Sequence, residues 1–245
     1  MKNIPLALQA YSLRQTFPTQ PLATLKTVKE TGFTGVEFYG SFFKPAFYRA
    51  LLEETGLVCC GWHTPIDNLE GEKFGPTVEL NLAVGSKFLC VPWFQTDTAD
   101  NWKRFADRLN TAAEKLRPFG LRTGYHCHAH DFKPVEGLVP WEIVAGNTGR
   151  DVVLQLDTGN AFSGGADVMA TLKKFPGRNQ TIHWKPWSAK ELFHTPAGSD
   201  DHDWPALLDW CEKEGRTEWA VLEYEEPDDP IVNIRRSAEF FAALG

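Results

Sequence analysis

Short apolar runs alternate along the chain with longer segments whose apolar residues recur at helical spacing. The runs cover residues 4–12, 35–40, 57–63, 87–93, 121–126, 152–157, 180–185 and 219–225. Their length and their bounding turn residues predict eight strands. The segments between them carry helix ends. "PLATLKTVKETG" closes on Gly32, "KPAFYRALLEETG" on Gly56 and "DWPALLDWCEKEG" on Gly215. A glycine just past the last turn is a common helix stop. Asp203 before "WPALL" and Asp229 before Pro230 are placed as N-caps, with Pro230 in the first helical position. A long helix is predicted over 99–119 and a closing one over 230–243.

Eight strand–helix units in 245 residues have the size and rhythm of a (β/α)₈ TIM barrel, an α/β fold. A doubly wound open sheet would use fewer strands, often with a glycine-rich turn after the first. Here the first run leads into "AYSLRQTFP", which has no glycine. No linker, low-complexity tract or second composition regime divides the chain, so one domain is expected over residues 1–245.

Parity within the strands locates the chemistry. Strand residues of a barrel alternate between the helix layer and the interior. In "VVLQLD", Val152, Leu154 and Leu156 take the helix side, leaving Gln155 and Asp157 inside. In "TIHWK", His183 and Lys185 point inward; in "WAVLEYE", Glu223 and Glu225 do; in "LRTGYHCH", Gly124, His126 and His128 do. Glu37 and His63 have interior parity on the second and third strands. Strands 5 to 8 thus each bring an ionisable residue to the C-terminal mouth, where barrel enzymes keep their active sites. A lone histidine at a strand end, or an aspartate before Thr-Gly, is usually a satisfied polar residue or a turn former. Four of them with matching parity, His126 (with His128 beyond it), Asp157, His183 and Glu223, make a divalent-metal site. Mixed nitrogen and oxygen donors suit Mn, Co, Zn or Fe better than Ca; Mg is also kept as a candidate. His130 and Asp131 follow the strand as loop-shaping residues or further site residues. His194 and His202 are lid residues or solvated ones.

Composition narrows the partners. A net charge of −7 gives no general electrostatic grip on nucleic acid or an anionic membrane. Neither is an expected partner, and homo-oligomerisation is left open. The five cysteines show no zinc-type spacing, and Cys59 and Cys60 would point to opposite faces of a strand. The N-terminal "MKNIPLALQAYSLR" has no long apolar core or small-residue cleavage pattern. A reduced, cytoplasmic protein is the expectation.

In "QAYSLR", "GFTGVEF", "LRTGYHCHAHDF", "LQLDTGNA", "FPGRNQTIHWKPW", "DWPALL" and "VLEYEEPDDP", taken in order, the chain resembles the xylose isomerase-like TIM barrels, in the sugar phosphate isomerase/epimerase branch. The resemblance implies one divalent metal held by a strand-5 residue, Asp157, His183 and Glu223. Relatives often show Tyr-His-Asn-His at strand 5. Here Tyr125-His126-Cys127-His128 makes His126 the expected ligand and His128 the alternative. Cys127, Lys133 and Pro186 depart from the family pattern near the substrate. The implied reaction is proton transfer through an enediolate of a keto-sugar or related polyol. Glu223 is the first candidate base, His126 or His128 the opposing acid/base, and Lys185 the oxyanion stabiliser. Glu37, His63, Trp93 and Tyr11 are the candidate sugar-binding residues; Trp187 is a further aromatic candidate, while Trp62 and Trp184 have core parity. The same enolisation would serve a lyase such as an inosose dehydratase or a 3-keto-glycoside eliminase. A sugar-binding barrel without turnover is a further alternative. An endonuclease IV-like nuclease fits poorly, because strands 3 and 4 end mainly in His63, Trp93 and Gln95.

Overall fold

The protein is described here by a computed structural model covering residues 4–227 and 229–244. All eight expected strands form: β1 (Leu6–Gln9), β2 (Gly35–Tyr39), β3 (Val58–His63), β4 (Phe88–Val91), β5 (Arg122–His126), β6 (Val153–Gln155), β7 (Thr181–Trp184) and β8 (Trp219–Leu222). They pair in parallel in the order β6-β5-β4-β3-β2-β1-β8-β7. Between β6 and β7 the ring is bridged only at Asp157 and His183, where the His183 amide donates to Leu156 O at 2.8 Å. The result is a near-closed (β/α)₈ barrel.

Helices α1 (Pro21–Glu30), α2 (Pro45–Thr55), α3 (Phe74–Val84), α4 (Ala99–Leu116), α5 (Pro140–Asn147), α6 (Thr158–Ser163), α7 (Val168–Lys174), α8 (Trp204–Trp210) and α9 (Pro230–Ala243) surround it. α4 shows why such segments dock. Trp102, Phe105, Ala106, Leu109, Ala112, Ala113 and Leu116 recur at three- and four-residue spacing and are all buried. Thr98 caps its start, accepting from Asn101 N at 3.3 Å.

Several boundaries differ from the sequence expectation. The first run stays extended only to Gln9, then coils into a 3₁₀ turn over Ala10–Leu13. Gly56 ends α2 in the left-handed region as expected, with φ 63°. Gly215 does not play that part after α8. The helix continues through a π turn over Cys211–Gly215, and Arg216 takes the left-handed φ of 54°. Gly215 is instead fixed by crowding, since a Cβ there would lie 2.7 Å from Thr217 Oγ1. Asp203 caps α8 through Ala206 N at 3.1 Å. Asp229 precedes Pro230 but makes no side-chain cap bond.

The interior follows the predicted parity. Leu8, Val36, Phe38, Trp62, Leu154, Leu156, Ile182, Trp184, Ala220, Leu222 and Tyr224 pack beneath the helices. Ala7, Cys60 and Val221 form a small apolar floor inside the barrel. Cys59 joins the helix layer and Cys60 the floor, on opposite faces. The alternation breaks once. The β2–β3 register shifts between Val36 and Glu37, so that Val36 pairs with Cys59 and Glu37 with Gly61. A bulge of this kind re-aims the residues after it. Here it carries Trp62 into the helix layer and His63 into the mouth. Only glycine fits at 61, because a Cβ would stand 2.5 Å from Glu37 Oε1.

Candidate active site

Four side chains from successive strand ends meet at the mouth. One donor atom each from His126, Asp157, His183 and Glu223 lies within 4.8 Å of every other, and all four residues are buried. His126 ends β5. Asp157 follows β6 and caps α6, its Oδ1 accepting from Asn160 N at 2.7 Å. That bond turns Oδ2 toward the cluster, 4.0 Å from both His126 Nε2 and His183 Nδ1. Oδ2 is buried and has no hydrogen-bond partner.

A layer of polar side chains lies between this cluster and the apolar floor. His183 Nδ1 lies 3.0 Å from Glu223 Oε2, and Nε2 lies 2.6 Å from Glu37 Oε2. Glu37 also accepts from Gln9 Nε2 at 2.7 Å and Gln155 Nε2 at 2.9 Å. His63 Nε2 sits 3.0 Å from Glu37 Oε2 and 2.7 Å from Gln155 Oε1. The Gln155 amide donates further to Thr181 Oγ1 at 3.1 Å. Glu37 is therefore fully enclosed, with both oxygens engaged, and it orients His183 rather than facing the cavity.

Burial and charge set the protonation states. Burial alone would raise the Glu37 carboxyl, but His63 and His183 hold it far below the usual carboxylate range. Burial would lower His183, but Glu37 and Glu223 lift it to about 10. Burial would raise Glu223, yet Lys185 and His183 hold it well below the usual range. For Asp157 burial wins against Lys185, and its carboxyl rises to about 7. Burial and the neighbouring His183 and His63 press His126 well below the ordinary imidazole value. Burial also takes His128 down to about 3. Both imidazoles are thus neutral at pH 7, the form that ligates metal.

The residues present fit a divalent metal. The donor set is mixed nitrogen and oxygen. The buried Asp157 Oδ2 has no partner, which is costly unless something binds it. Asp157, Glu223 and Glu225 gather around Lys185, a concentration of carboxylate that a dication would offset. Glu37 on the far nitrogen of His183 is the usual outer partner of a metal-bound histidine. A second grouping, His63, His126 and His183, shares two residues with the first. His63 is already committed to Glu37 and Gln155, so the four-residue set is the better site.

Above the cluster opens a cavity of about 500 Å³. Tyr11, Tyr39, Gly40, His63, Pro65, Pro92, Trp93, His126, His128, Glu223 and Glu225 line it. Of the expected sugar-binding residues, Tyr11, His63 and Trp93 reach this cavity and Glu37 lies below it. His128 stands against Trp93, ring centroids 4.7 Å apart. Lys185 is buried, its Nζ paired with Glu225 and 3.8 Å from Glu223 Oε2. Glu225, Tyr39, Pro65 and Pro92 were not singled out as site residues. Glu225 had the right parity, and so did Tyr39, two residues beyond Glu37.

The remaining histidines lie outside the four-residue cluster. His130 Nε2 lies 2.9 Å from Phe94 O, and Asp131 binds Tyr125 Oη at 2.9 Å and His128 N at 2.7 Å. Both shape the loop after β5. His194 lies at 3.3 Å from Glu226 Oε2. His202 is not solvated: its side chain is buried against Trp204 and paired with Asp200 Oδ2 at 2.8 Å. Among the family departures, Cys127 points away from the cavity. It is wholly buried, with Asp157 N donating to its Sγ at 3.1 Å, and so it sets the backbone of a cluster residue. Trp62 and Trp184 are core residues, as their parity indicated.

Fold and site define a class: a parallel (β/α)₈ barrel with a buried His/Asp/His/Glu cluster at its C-terminal mouth. The chain belongs to the xylose isomerase-like TIM barrel family, whose pattern its residues 25–244 match. It is 25% identical to an inosose dehydratase of Bacillus licheniformis over 84% of this chain and 81% of that protein. A solved sugar phosphate isomerase/epimerase from Parabacteroides distasonis superposes with a TM-score of 0.85 at 19% identity, covering 98% of this chain and 94% of that one. A protein named IOLI, solved with a zinc atom bound, gives a TM-score of 0.73 at 15% identity over 98% of both chains. Among the described residues no helix is long and apolar enough to cross a membrane.

Proposed function

We infer that the protein is a divalent-metal-dependent isomerase or epimerase of a keto-sugar or related polyol. The observation that carries this reading is the four-donor cluster with its unpartnered Asp157 oxygen, opening into a cavity of sugar-binding character. The metal would be held by His126, Asp157, His183 and Glu223, and when bound would polarise a carbonyl and its neighbouring hydroxyl and acidify the C–H between them. The chain's own groups then handle the proton. Glu223, ionised and lining the cavity, accepts it and leaves an enediolate. Return from Glu223 to the adjacent carbon isomerises the sugar. Delivery to the opposite face epimerises it and falls to His128, which, neutral at pH 7, relays a solvent proton through its two ring nitrogens rather than storing one. Lys185, kept cationic by Glu223, Asp157 and Glu225 despite its burial, stabilises the developing negative charge. Tyr11 and Trp93 supply apolar faces for the sugar ring. The partner is a small carbohydrate, with neither nucleic acid nor membrane required.

One observation favours a second reading. The curated relative is a dehydratase, and an enolate carrying a leaving group on the next carbon eliminates it. A lyase would use Glu223 as base, with neutral His128 relaying a solvent proton to the departing group.

The first test is elemental analysis of the purified protein beside Asp157→Asn, followed by NMR of ketoses and inososes in D₂O. About one transition metal per chain, lost in the variant, with deuterium entering a ketose, supports the isomerase reading. An unsaturated product supports the lyase. No metal after incubation with Mn²⁺, Co²⁺ and Zn²⁺ overturns both.

A further inference from the structure

A second cavity adjoins the first on the same face of the barrel. It measures about 210 Å³ and is walled by Phe17, Pro18, Pro21, Tyr39, Phe42, Phe47 and Tyr48, with Lys44 at its edge. The walls come from Tyr39 at the end of β2 and from the loops and helix starts that follow β1 and β2. Tyr39 lines both cavities, so its ring forms part of the wall that they share. Tyr11 stands edge-on to Tyr39, ring centroids 5.1 Å apart, and continues the aromatic surface into the catalytic cavity.

The second cavity is built rather than incidental. Gly40 follows Tyr39 with φ +95°, and a Cβ there would strike the Phe42 ring at 2.8 Å. Glycine at this position therefore lets Phe42 fold back over the turn. The turn is tied down on both sides, since Gly40 N donates to His63 O at 2.9 Å and Trp62 Nε1 donates to Gly40 O at 2.8 Å. Phe47 and Tyr48 pack edge-to-face at 5.1 Å, and Tyr48 packs on Phe38 and Trp62 beneath. Yet Phe42 is 54% and Phe47 44% exposed. Large apolar side chains gathered on a fixed concave wall are the usual lining of a small-molecule pocket.

We propose that this cavity is a subsite for an aromatic substituent of the substrate, so that the protein acts on a keto-sugar carrying an aryl group. The inference rests on the proposed function for its sugar half. Size and chemistry both fit one ring. An apolar cavity of roughly 150 Å³ takes up benzene, and the walls here offer aromatic faces and proline edges with no buried charge. Lys44 at the edge suits a phenolic or carboxylate oxygen on the ring. Tyr39 lines both cavities, so a substituent on a sugar seated over the cluster would pass this ring to enter the second.

The test uses the full-length, metal-loaded protein with three probes, phenol, methyl β-D-glucopyranoside and phenyl β-D-glucopyranoside, titrated by calorimetry and ligand-observed NMR. Phe47→Asp and Phe42→Ser change exposed walls of the cavity; thermal melts check their folding, and ultracentrifugation follows their association state. The expected result is phenol binding that both variants abolish. Phenyl glucoside should bind at least roughly tenfold more tightly than either fragment, and that gain should vanish in Phe47→Asp. Absence of phenol binding, or binding that survives both variants, overturns the subsite. Phenyl glucoside binding no tighter than phenol overturns its connection to the sugar site. A native dimer that becomes monomeric in Phe47→Asp assigns the surface to a second copy and overturns the proposal as well. Failure of the parent reading looks different: no metal is taken up, while phenol still binds.

Discussion

On the β5–β8 side of the mouth, His126, His128, Asp157, His183, Lys185 and Glu223 converge. On the β1–β2 side the surface is made by Tyr11, Phe17, Tyr39, Phe42, Phe47 and Tyr48. The first sector is expensive to build. Each buried charge loses hydration, and the arrangement holds only because nearly every atom has an opposite charge or donor beside it. Asp157 Oδ2 is a buried carboxylate oxygen of this sector without a hydrogen-bond partner. The second sector costs little, since aromatic rings are stable against one another and partly in water. On the proposed reading, reactivity would reside in a sector whose side chains are fixed by mutual bonds, and recognition in one whose side chains only have to be apolar and in place. Mutations should separate the two.

The largest effect is expected from the first sector. Asp157→Asn should abolish metal binding in elemental analysis while leaving the α6 cap, because the amide oxygen can still accept from Asn160 N. Asp157→Ala should lose both, with about 1 kcal/mol less stability than the asparagine variant in chemical denaturation. Equal stability of the two would show that the cap bond contributes nothing. Glu37→Gln comes next. It touches no metal, but it removes the carboxylate that orients His183, and metal affinity by chelator competition should fall roughly 10–100-fold. Gly61→Ala should act in the same direction by pushing against Glu37, with overpacking that costs about 1–3 kcal/mol.

pH should move the two sectors differently. The Asp157 carboxyl is raised from 3.8 to about 7 in the metal-free fold. The folded chain then binds more protons than the unfolded one between those values, so this group's contribution to stability declines as pH rises from about 4 to about 7. Metal binding has the opposite slope. It needs the carboxylate, so affinity should weaken as pH falls below about 7. Calorimetric melts of metal-free and metal-loaded protein across this window check both signs. Phenol binding to the aromatic sector should be flat over the same range.

Much of this division could be read from the sequence because a strand has a period of two. Once Val152, Leu154 and Leu156 were assigned to the helix layer, Asp157 had to face inward, and the same reasoning placed His126, His183 and Glu223. What parity does not give is pairing between distant strands. The bond from Glu37 to His183 spans 146 residues, and parity could say that both face inward but not that Glu37 lies beneath the cluster. The β3 bulge was equally invisible, since Cys59-Cys60-Gly61 reads as ordinary alternation. Most of the aromatic sector escaped notice because Phe17, Phe42, Phe47 and Tyr48 sit in loops and first helical turns, where no period applies. Gly40 was the available signal there, as a glycine just past a strand that ends on an aromatic residue marks a turn that something packs against.

The smallest expected effect tests whether the two sectors act as one site. Trp93 is 54% exposed, lines the cavity and stands edge-on to His128. It neither belongs to the metal cluster nor walls the aromatic cavity. Trp93→Ala should therefore leave metal content and phenol binding unchanged. If the indole covers one face of the sugar, KM should rise by roughly tenfold with little change in kcat, since the loss falls equally on ground and transition states. A fall in kcat at constant KM would instead mean that the indole positions His128 for proton delivery. The sugar would then be held by the two flanking sectors alone, with Trp93 belonging to the chemistry rather than to binding.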